Sequence, residues 1–591
     1  MATSSLTTTD INNLVNSYKQ VQYNRRIYPL QTRKDKFSGI STAYSTLSTK
    51  VTSLKTMLSG FKSSSATSIF NSKKAVSSNT DFVTATASKT SSKGSYEFFV
   101  SQMAKNDLAV SKDMASDTVT TLNGTHSFSI KAGDGGTGEY VSNIDVTFEG
   151  TETNQEMMEA IQDAINSDKA VVQSDAKTGT DSYTGGASTF TIDINGTETE
   201  ITVNGGGTYE DLIDELVTNI NSNVDGVAAE KVTDGGNVQL KLQVLNSDDY
   251  ISISHTSGFD VTSDLNIGVT KEKAASGIVT ASVFTPRSGV HQLSISAKET
   301  GLDYRIKELS DSGTSTALSE LGLNLGTSRP SFDQSADPDT PGFVYSDITD
   351  ANNLLNSKFT FNGLDIQKSS NEVEDLVEGM SFNLNSVMQV TDNNVNISVS
   401  NDIDATQAAI KDFISKFNDV YSFLKSKTTS NDGVRGVLLG DSNASSLISK
   451  LKSVAYEEVS GLNPGAISYL SQIGISFDSN SGLTISDSSL LTQQLTDNAS
   501  GVKDLFTSDN GLATTLYSEI DAYVGSDGYL TSSISSYGNS TTYLDDRINS
   551  IQENINKSAE VIRSRYQKLQ VQYASLLGAT SMFMSSSDSY F

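Results

Sequence analysis

Apolar and small side chains recur every three or four positions at both ends of this chain and every second position through much of its middle. Near the C-terminus they fall at Leu544, Ile548, Ile551, Ile555, Ala559, Ile562, Tyr566, Leu569, Tyr573 and Leu576, in steps of 4, 3, 4, 4, 3, 4, 3, 4 and 3. This is coiled-coil spacing with one stutter, at Ile551, Ile555 and Ala559. No proline interrupts it, and Asp, Glu, Lys, Arg and Gln fill the flanks. The pattern predicts a helix from Leu544 to Met582, about 58 Å long at 1.5 Å per residue. Burying one large apolar side chain is worth about 1.5–3 kcal/mol, so a seam of this length calls for a cover.

The first 62 residues are also helical in pattern. Asp10 is a candidate N-cap for a short helix carrying Ile11, Leu14, Val15, Tyr18 and Val21, and Pro29 is expected to break the chain there. Beyond it Phe37, Ile40, Tyr44, Leu47, Val51, Leu54, Leu58 and Phe61 step 3, 4, 3, 4, 3, 4 and 3, a second and stricter seam. Each seam alone is compatible with packing into its own domain. Because the two lie at opposite ends and neither adjoins a strand-rich segment, the expectation is that the termini pair, within or between chains. Phe37 to Phe61 is the expected intramolecular cover of the closing helix, and the stutter marks the place for a bend or a change of partner.

From Ser68 to about Ser400 the chain is rich in Ser, Thr, Gly, Asn and Asp and carries short alternating runs such as "SYEFFV", "STFTIDINGTETEITVN", "QLKLQV" and "SKFTFNGLDIQ". These read as strands, with "ING", "FNG" and "DGG" as hairpin turns. A helix returns at "DIDATQAAIKDFISKFNDVYSFLKSKT", where Ile403, Ile410, Phe413, Phe417, Val420 and Leu424 share a face. The β region hides an interrupted repeat: hairpin, helix ending in "IN", then further strands. One copy is continuous from "STFTIDING" to "LNIG"; the other starts at "HSFSIKAGD", runs to "AINSD" and resumes at "GIVTASVFTPRSGVHQLSISAKE". One α+β module, 178–275, is therefore expected inside a loop of a sister module, 119–177 with 276–326.

At 591 residues the chain exceeds a single core. Its 42 basic and 70 acidic residues give a net charge of -28, which argues against nucleic acid or an anionic membrane as the main partner. There is no cysteine, which removes disulfides, thiolate nucleophiles and the commonest structural zinc sites. The opening "MATSSLTTTDINNLVNSYKQ" lacks the features of a secretory signal, and no apolar run suggests a membrane span. These signs alone point to the cytoplasm unless a dedicated export route exists. Catalytic material is sparse: His126, His255 and His291 are scattered among predicted strands. "GDGGTGE" at Gly133–Glu139 opens no predicted helix and reads as a loop rather than a phosphate cradle. "DSNSGLTISD" at Asp478–Asp487 faintly echoes a calcium loop, but Ser489 stands at its twelfth position and a tight hairpin is the better reading. The expectation is no enzyme, no catalytic residue, no cofactor and no metal.

Several stretches together resemble one family, the flagellar filament cap proteins (flagellar hook-associated protein 2, FliD). They are "DINNLV", Pro29 and "ISTAYSTLSTKVTSLKTMLSGF"; "TATASKTSSKGSYEFFVSQMAKNDLAVS", with Met103 where leucine is usual; "SKFTFNGLDIQKSSNEVEDLVEGMSFNLNS", with "DLVEGM" as a helix-turn; "NISVSNDIDATQAAIKDFISKFNDVYSFLKS"; "GVLLGDS", "LSQIGISFDSNSGLTI" and the closing helix. The family's Gly-rich opening is replaced here by "SSLTTTD", so no role of those glycines carries over. The chain is longer than many relatives, and 178–275 is the natural place for the excess.

The resemblance implies a multidomain α+β fold: helical coiled-coil N- and C-terminal ends paired as legs, a mixed helical/β leg domain, and β-rich head domains in the middle with one module nested inside a similar one. The expected division is 1–61 with 540–591 as the terminal coiled coil, 62–82 with 373–539 as the leg domain, 83–118 with 327–372 as a β-rich head domain, then the two α+β modules. It further implies type III export without a signal peptide, an extracellular place at the filament tip, a ring-shaped homo-oligomer, and partners in flagellin, the filament end, hook–filament junction proteins and an export chaperone at the C-terminal helix. The implied work is capping: folding and polymerising exported flagellin and preventing its loss. The alternatives are a flagellum-borne adhesin acting through 178–275 and, ranked lower, a secreted hydrolase using acidic pairs in the β region. On the capping reading the contact residues are Phe37, Ile40, Tyr44, Leu47, Val51, Leu54, Leu58, Phe61, Leu544, Ile548, Ile551, Ile555, Ile562, Tyr566, Leu569, Tyr573 and Leu576.

Overall fold

A computed structural model describes residues 7–61, 68–335, 339–349, 352–431 and 433–587. Ser4–Leu6 of the altered opening stretch, 62–67 at the start of the expected leg domain, and 588–591 lie outside the described residues. Two compact units emerge: one from the stretches up to Lys74, Ser88–Thr90 and onward from Ser400, the other from Ala75–Ala87 and Ser91–Val399.

The first unit begins with α1 (Thr8–Gln22). Its cap is Thr7, not Asp10: Thr7 Oγ1 accepts from Asp10 N at 3.2 Å and the Asp10 carboxylate accepts from Thr7 N at 2.9 Å, a reciprocal capping box. Nor does Pro29 break the chain. A π-turn over Tyr23–Ile27 widens the ladder, with Tyr28 N donating to Tyr23 O, and α2 (Tyr28–Ser59) then starts with Pro29 in its first turn. A proline is tolerated there because the helix leaves that N–H without an internal partner.

The second unit contains the repeat. Its host copy runs β1 (Gly124–Gly133), β2 (Glu139–Phe148) and α3 (Asn154–Ser167). The nested copy follows with β3 (Val171–Gln173), β4 (Lys177–Thr178), β5 (Ser188–Ile194), β6 (Thr197–Val203), α4 (Tyr209–Asn223), β7 (Val227–Asp234), β8 (Asn237–Val244), β9 (Tyr250–Gly258) and β10 (Val269–Lys273). The host resumes with β11 (Val279–Arg287), β12 (Val290–Thr300) and β13 (Ile306–Asp311). In each copy a hairpin leads to a helix, a second hairpin follows, and a last strand returns antiparallel to the first: β13 on β1, β9 on β5. Both helices open on capping boxes, Thr153–Glu156 and Thr208–Asp211. The Asn195–Gly196 turn joining β5 to β6 has φ of 50° and 83°, the left-handed pair a two-residue type I′ hairpin demands.

One seven-stranded sheet, in the order β6-β5-β9-β10-β2-β1-β13, runs through both copies, while β7-β8-β3, with β4 beside β8, belongs to the nested one. Two cores sit against these sheets. Phe128, Ile144, Met158, Ile161, Ile295 and Leu309 are in the host core, and Phe190, Ile192, Leu216, Ile220, Leu240 and Ile251 in the nested core.

Three expected boundaries move. Ala170 and Val172 lie in the nested core and β3 and β4 pair with β8, so the nested module begins near 170 rather than 178. Strand Asn106–Val110 pairs with β12, and Ala109 and Met114 join the host core, so these residues leave the expected 83–118 head domain. Strands Met380–Leu384 and Val395–Asn401 alternate buried and less buried residues and close an aromatic core with Phe98 and Phe359. They belong with the β region, not with the leg domain assigned to 373–539. Within them "DLVEGM" is a bend and turn before the strand, with no helix.

Back in the first unit, α5 (Ile403–Thr428), α6 (Ser442–Tyr456), α7 (Ser488–Asp497), α8 (Ala499–Thr507) and α9 (Leu512–Val524) gather round one core, with a hairpin of Ile475–Asp478 and Gly482–Ile485 where the calcium echo stood. The chain closes with α10 (Tyr529–Ser587), 59 residues without a break and therefore about 88 Å long.

Candidate functional site

The two seams divide differently from the expected Phe37–Phe61 pairing with the closing helix. Leu47, Val51, Leu54 and Leu58 are fully buried in the core formed with α5–α9, and Phe61 meets Phe70, Phe413 and Phe506 at ring distances of 5.1, 6.1 and 5.5 Å. The heptad spacing is satisfied, but by a globular core. The beginning of that seam meets α10 around residues 529–544. Phe37 lies edge-on to Tyr537 at 5.5 Å, and Tyr44 contacts Tyr537 at 6.1 Å and Tyr529 at 6.2 Å, with Ile40 buried between them in sequence. The Tyr44 hydroxyl donates to the Asp441 carboxylate, and burial, reinforced by that bond, pushes the phenol's pKa well up.

The cover of the C-terminal stripe comes from further upstream. Leu544 is buried beside the Lys34–Asp545 ion pair. Ile27 of the π-turn packs with Ile551 and Ile555, with Leu30 and Ile548 at the margin. Ile11 and Val15 of α1 pack on Ala559, flanked by Tyr18, Ile562 and Tyr566. The change of partner falls at the stutter: the doubled four-residue step in α10 faces the one place where the opposing chain leaves α-helical geometry. Sequence reasoning missed Ile11, Val15 and Ile27 as seam members, although Ile11, Val15 and Tyr18 already show helical spacing.

Past Tyr566 the stripe is exposed as far as Leu577. Leu569, Tyr573 and Leu576 are 54, 43 and 63 % exposed, and Leu577 and Val571 beside them 37 and 69 %. One turn before Tyr566, Arg563 pairs with Glu560 at 3.0 Å. Scattered exposed leucines are ordinary, but a continuous helical stripe is the mark of a surface that another chain covers.

Elsewhere the chemistry is structural. His291 bonds Ser116 at 2.7 Å and Thr285 at 3.1 Å, and His126 accepts from Thr316 N at 3.1 Å. His255 stands 3.7 Å from Asp260. Among the described residues no three His, Asp or Glu side chains converge as a metal site, and no helix is long and apolar enough to cross a membrane.

Helical ends joined to a β-rich middle, with one helix left half covered, define a subunit of a larger assembly. The N-terminal model of flagellar hook-associated protein 2 matches residues 7–107 and the C-terminal model matches 355–576. The chain belongs to the flagellar hook-associated protein 2 family. It is 26 % identical over 341 residues to the B-type flagellar hook-associated protein 2 of Pseudomonas aeruginosa, covering 55 % of this chain and 66 % of that one. It is 26 % identical over 355 residues to flagellar hook-associated protein 2 of Escherichia coli K12, covering 58 and 70 %. The chain thus spans about two thirds of the length of these relatives. Among solved structures, it aligns with the D1-D2-D3 domains of the flagellar cap protein FliD from E. coli at 21 % identity and a TM-score of 0.48, covering 84 % of this chain and 99 % of that one.

Proposed function

We propose that this protein caps the distal end of the bacterial flagellar filament, where it promotes folding and polymerisation of exported flagellin and prevents its loss. The observation that carries this is the exposed stripe of Leu569, Tyr573 and Leu576 on α10, in a chain whose N-terminal and C-terminal stretches both match the family. The protein is exported and acts outside the cell. The relatives support capping rather than attachment through 178–275, and their family is one of structural flagellar proteins. Its partners are further copies of itself in a ring, flagellin, the filament end, hook–filament junction proteins, and an export chaperone that holds the C-terminal helix. Leu569, Tyr573 and Leu576 carry the contact; Leu47–Phe61 serve the fold of the leg.

The decisive truncation ends the chain after Gln567, leaving in place the residues of α10 that pack on α1, the π-turn and α2. The shortened protein is expected to keep the melting temperature of the full chain and to support no filament growth in cells. Normal filaments from it would overturn the proposal. Deleting 1–61 is a poorer test, because that removes core residues of the first unit.

A further inference from the structure

The nested module leaves its host after α3 and returns through β10, and both crossings are tied to β2. The seven-stranded sheet is continuous there through one parallel pair, Glu272 opposite Val141. By comparison β1 and β2 share ten residue pairs. Side chains supply the rest of the joint. The Glu272 carboxylate accepts from Asn143 N at 3.2 Å and from Asn143 Nδ2 at 3.0 and 3.1 Å. At the other crossing Asp168 Oδ2 accepts from Ala275 N at 2.6 Å and from Ser142 Oγ at 2.9 Å, and its main-chain O accepts from Ser276 Oγ at 2.9 Å.

Two carboxylates thus hold the module to its host, and among the described residues no cation forms an ion pair with either. Glu272 is 4 % exposed. Of the charged groups around it, Lys271 is turned to Asp134, Lys273 lies 4.6 Å over the Tyr140 ring, and Lys298 pairs with Asp248. The Tyr250 hydroxyl donates to Asp193. Lys169 is exposed, and Asp145 on β2 adds negative charge near Asp168. Deprotonating Glu272 therefore places a buried anion near the half-buried Asp168 carboxylate with only dipoles to stabilise it.

We propose that this crossing is a proton-operated latch: protonated Glu272 holds the nested module to its host, and ionised Glu272 beside Asp168 loosens the β10–β2 joint while both modules stay folded. Burial, and secondarily the Asp168 charge, push the Glu272 carboxyl up from 4.5 to about 7 against the pull of the Asn143 bonds, and burial raises Asp168 as well. The closed joint therefore keeps a proton that an opened, hydrated carboxyl has already released. Its contribution is complete below the ordinary glutamate value and is lost as pH rises through about 7. With those two values the ratio of open to closed joint rises roughly thirty-fold between about pH 5.5 and about pH 8.5.

Hydrogen exchange on the full chain, corrected for the intrinsic pH dependence of exchange, reads this directly. Protection of peptides spanning 139–148 and 269–276 is expected to fall ten-fold or more across that range, with β8 in the nested core unchanged. Glu272→Gln, whose amide oxygen still accepts from Asn143, is expected to hold the acid-side protection at every pH. Constant protection in the wild-type chain, parallel loss in β8, or an unaltered pH profile in Glu272→Gln would each overturn the latch; if the variant fails to fold, the wild-type profile alone decides.

Discussion

Two asparagines carry the same bond in both copies of the repeat. Asn166, at the end of α3, donates to Ala281 O at 2.8 Å and accepts from Ala281 N at 2.9 Å. Asn221, at the end of α4, does the same with Ala229 O at 2.8 Å and Ala229 N at 2.9 Å. Each closes both backbone valences of a strand residue from the helix packed against it, so truncation orphans a donor and an acceptor together. Asn166→Ala and Asn221→Ala are each expected to cost about 1–3 kcal/mol, read by urea denaturation, and Asn→Asp should recover only the accepting half. The letters "IN" at 165–166 and 220–221 were legible as a repeated pair; their bonding partners were not, because Ala281 and Ala229 have no side-chain signal. Arg329 is a second such position. Its guanidinium binds Asp107, which is fully buried, reaches Ile306 O at 3.1 Å and Tyr345 O at 3.0 Å, and stacks 3.9 Å over Phe343. Arg329→Ala leaves Asp107 as an unpaired buried charge and is expected to cost about 3–5 kcal/mol in the same denaturation experiment. Lysine, lacking the planar fork, should not restore it.

Among the elements, those with a strong local signal were legible and those defined by a partner were not. The Asn-Gly hairpins and α5 follow from turn chemistry and periodicity alone. The heptads of Phe37–Phe61 correctly imply burial, yet a heptad names no partner, and the leg core claimed most of that seam. Likewise β3 and β4 are too short to show a period, and only their pairing with β8 assigns them to the nested module. The contact of α1 with α10 shows how local such pairing is. Ala559 is fully buried between Ile11 and Val15, so its small size sets how closely the helices approach. Ala559→Leu is expected to force α1 away at about 1–3 kcal/mol. The readout is faster hydrogen exchange and proteolysis within residues 8–22, with α5–α9 unaffected. A variant whose α1 stays protected would show that the π-turn, rather than Ala559, fixes this helix.

For the whole molecule, two forces oppose one another. The exposed stripe from Leu569 to Leu576 favours association, while a net charge of -28 on every copy resists it. Salt screens the second and leaves the first nearly intact, since the Debye length shrinks from about 30 Å at 0.01 M to about 8 Å at 0.15 M. Self-association of the purified chain is therefore expected to strengthen as sodium chloride rises from about 0.02 to about 0.3 M, the reverse of a complex held by opposite charges. Sedimentation equilibrium across that range measures it. Replacing Leu569 and Leu576 by Asp should abolish association at every salt concentration without lowering the melting temperature, because neither side chain touches a core of its own subunit. Association that weakened with salt would place the contact on charged surfaces instead. Association that survived the double substitution would move it off α10, leaving the uncovered stripe for flagellin or the filament end alone.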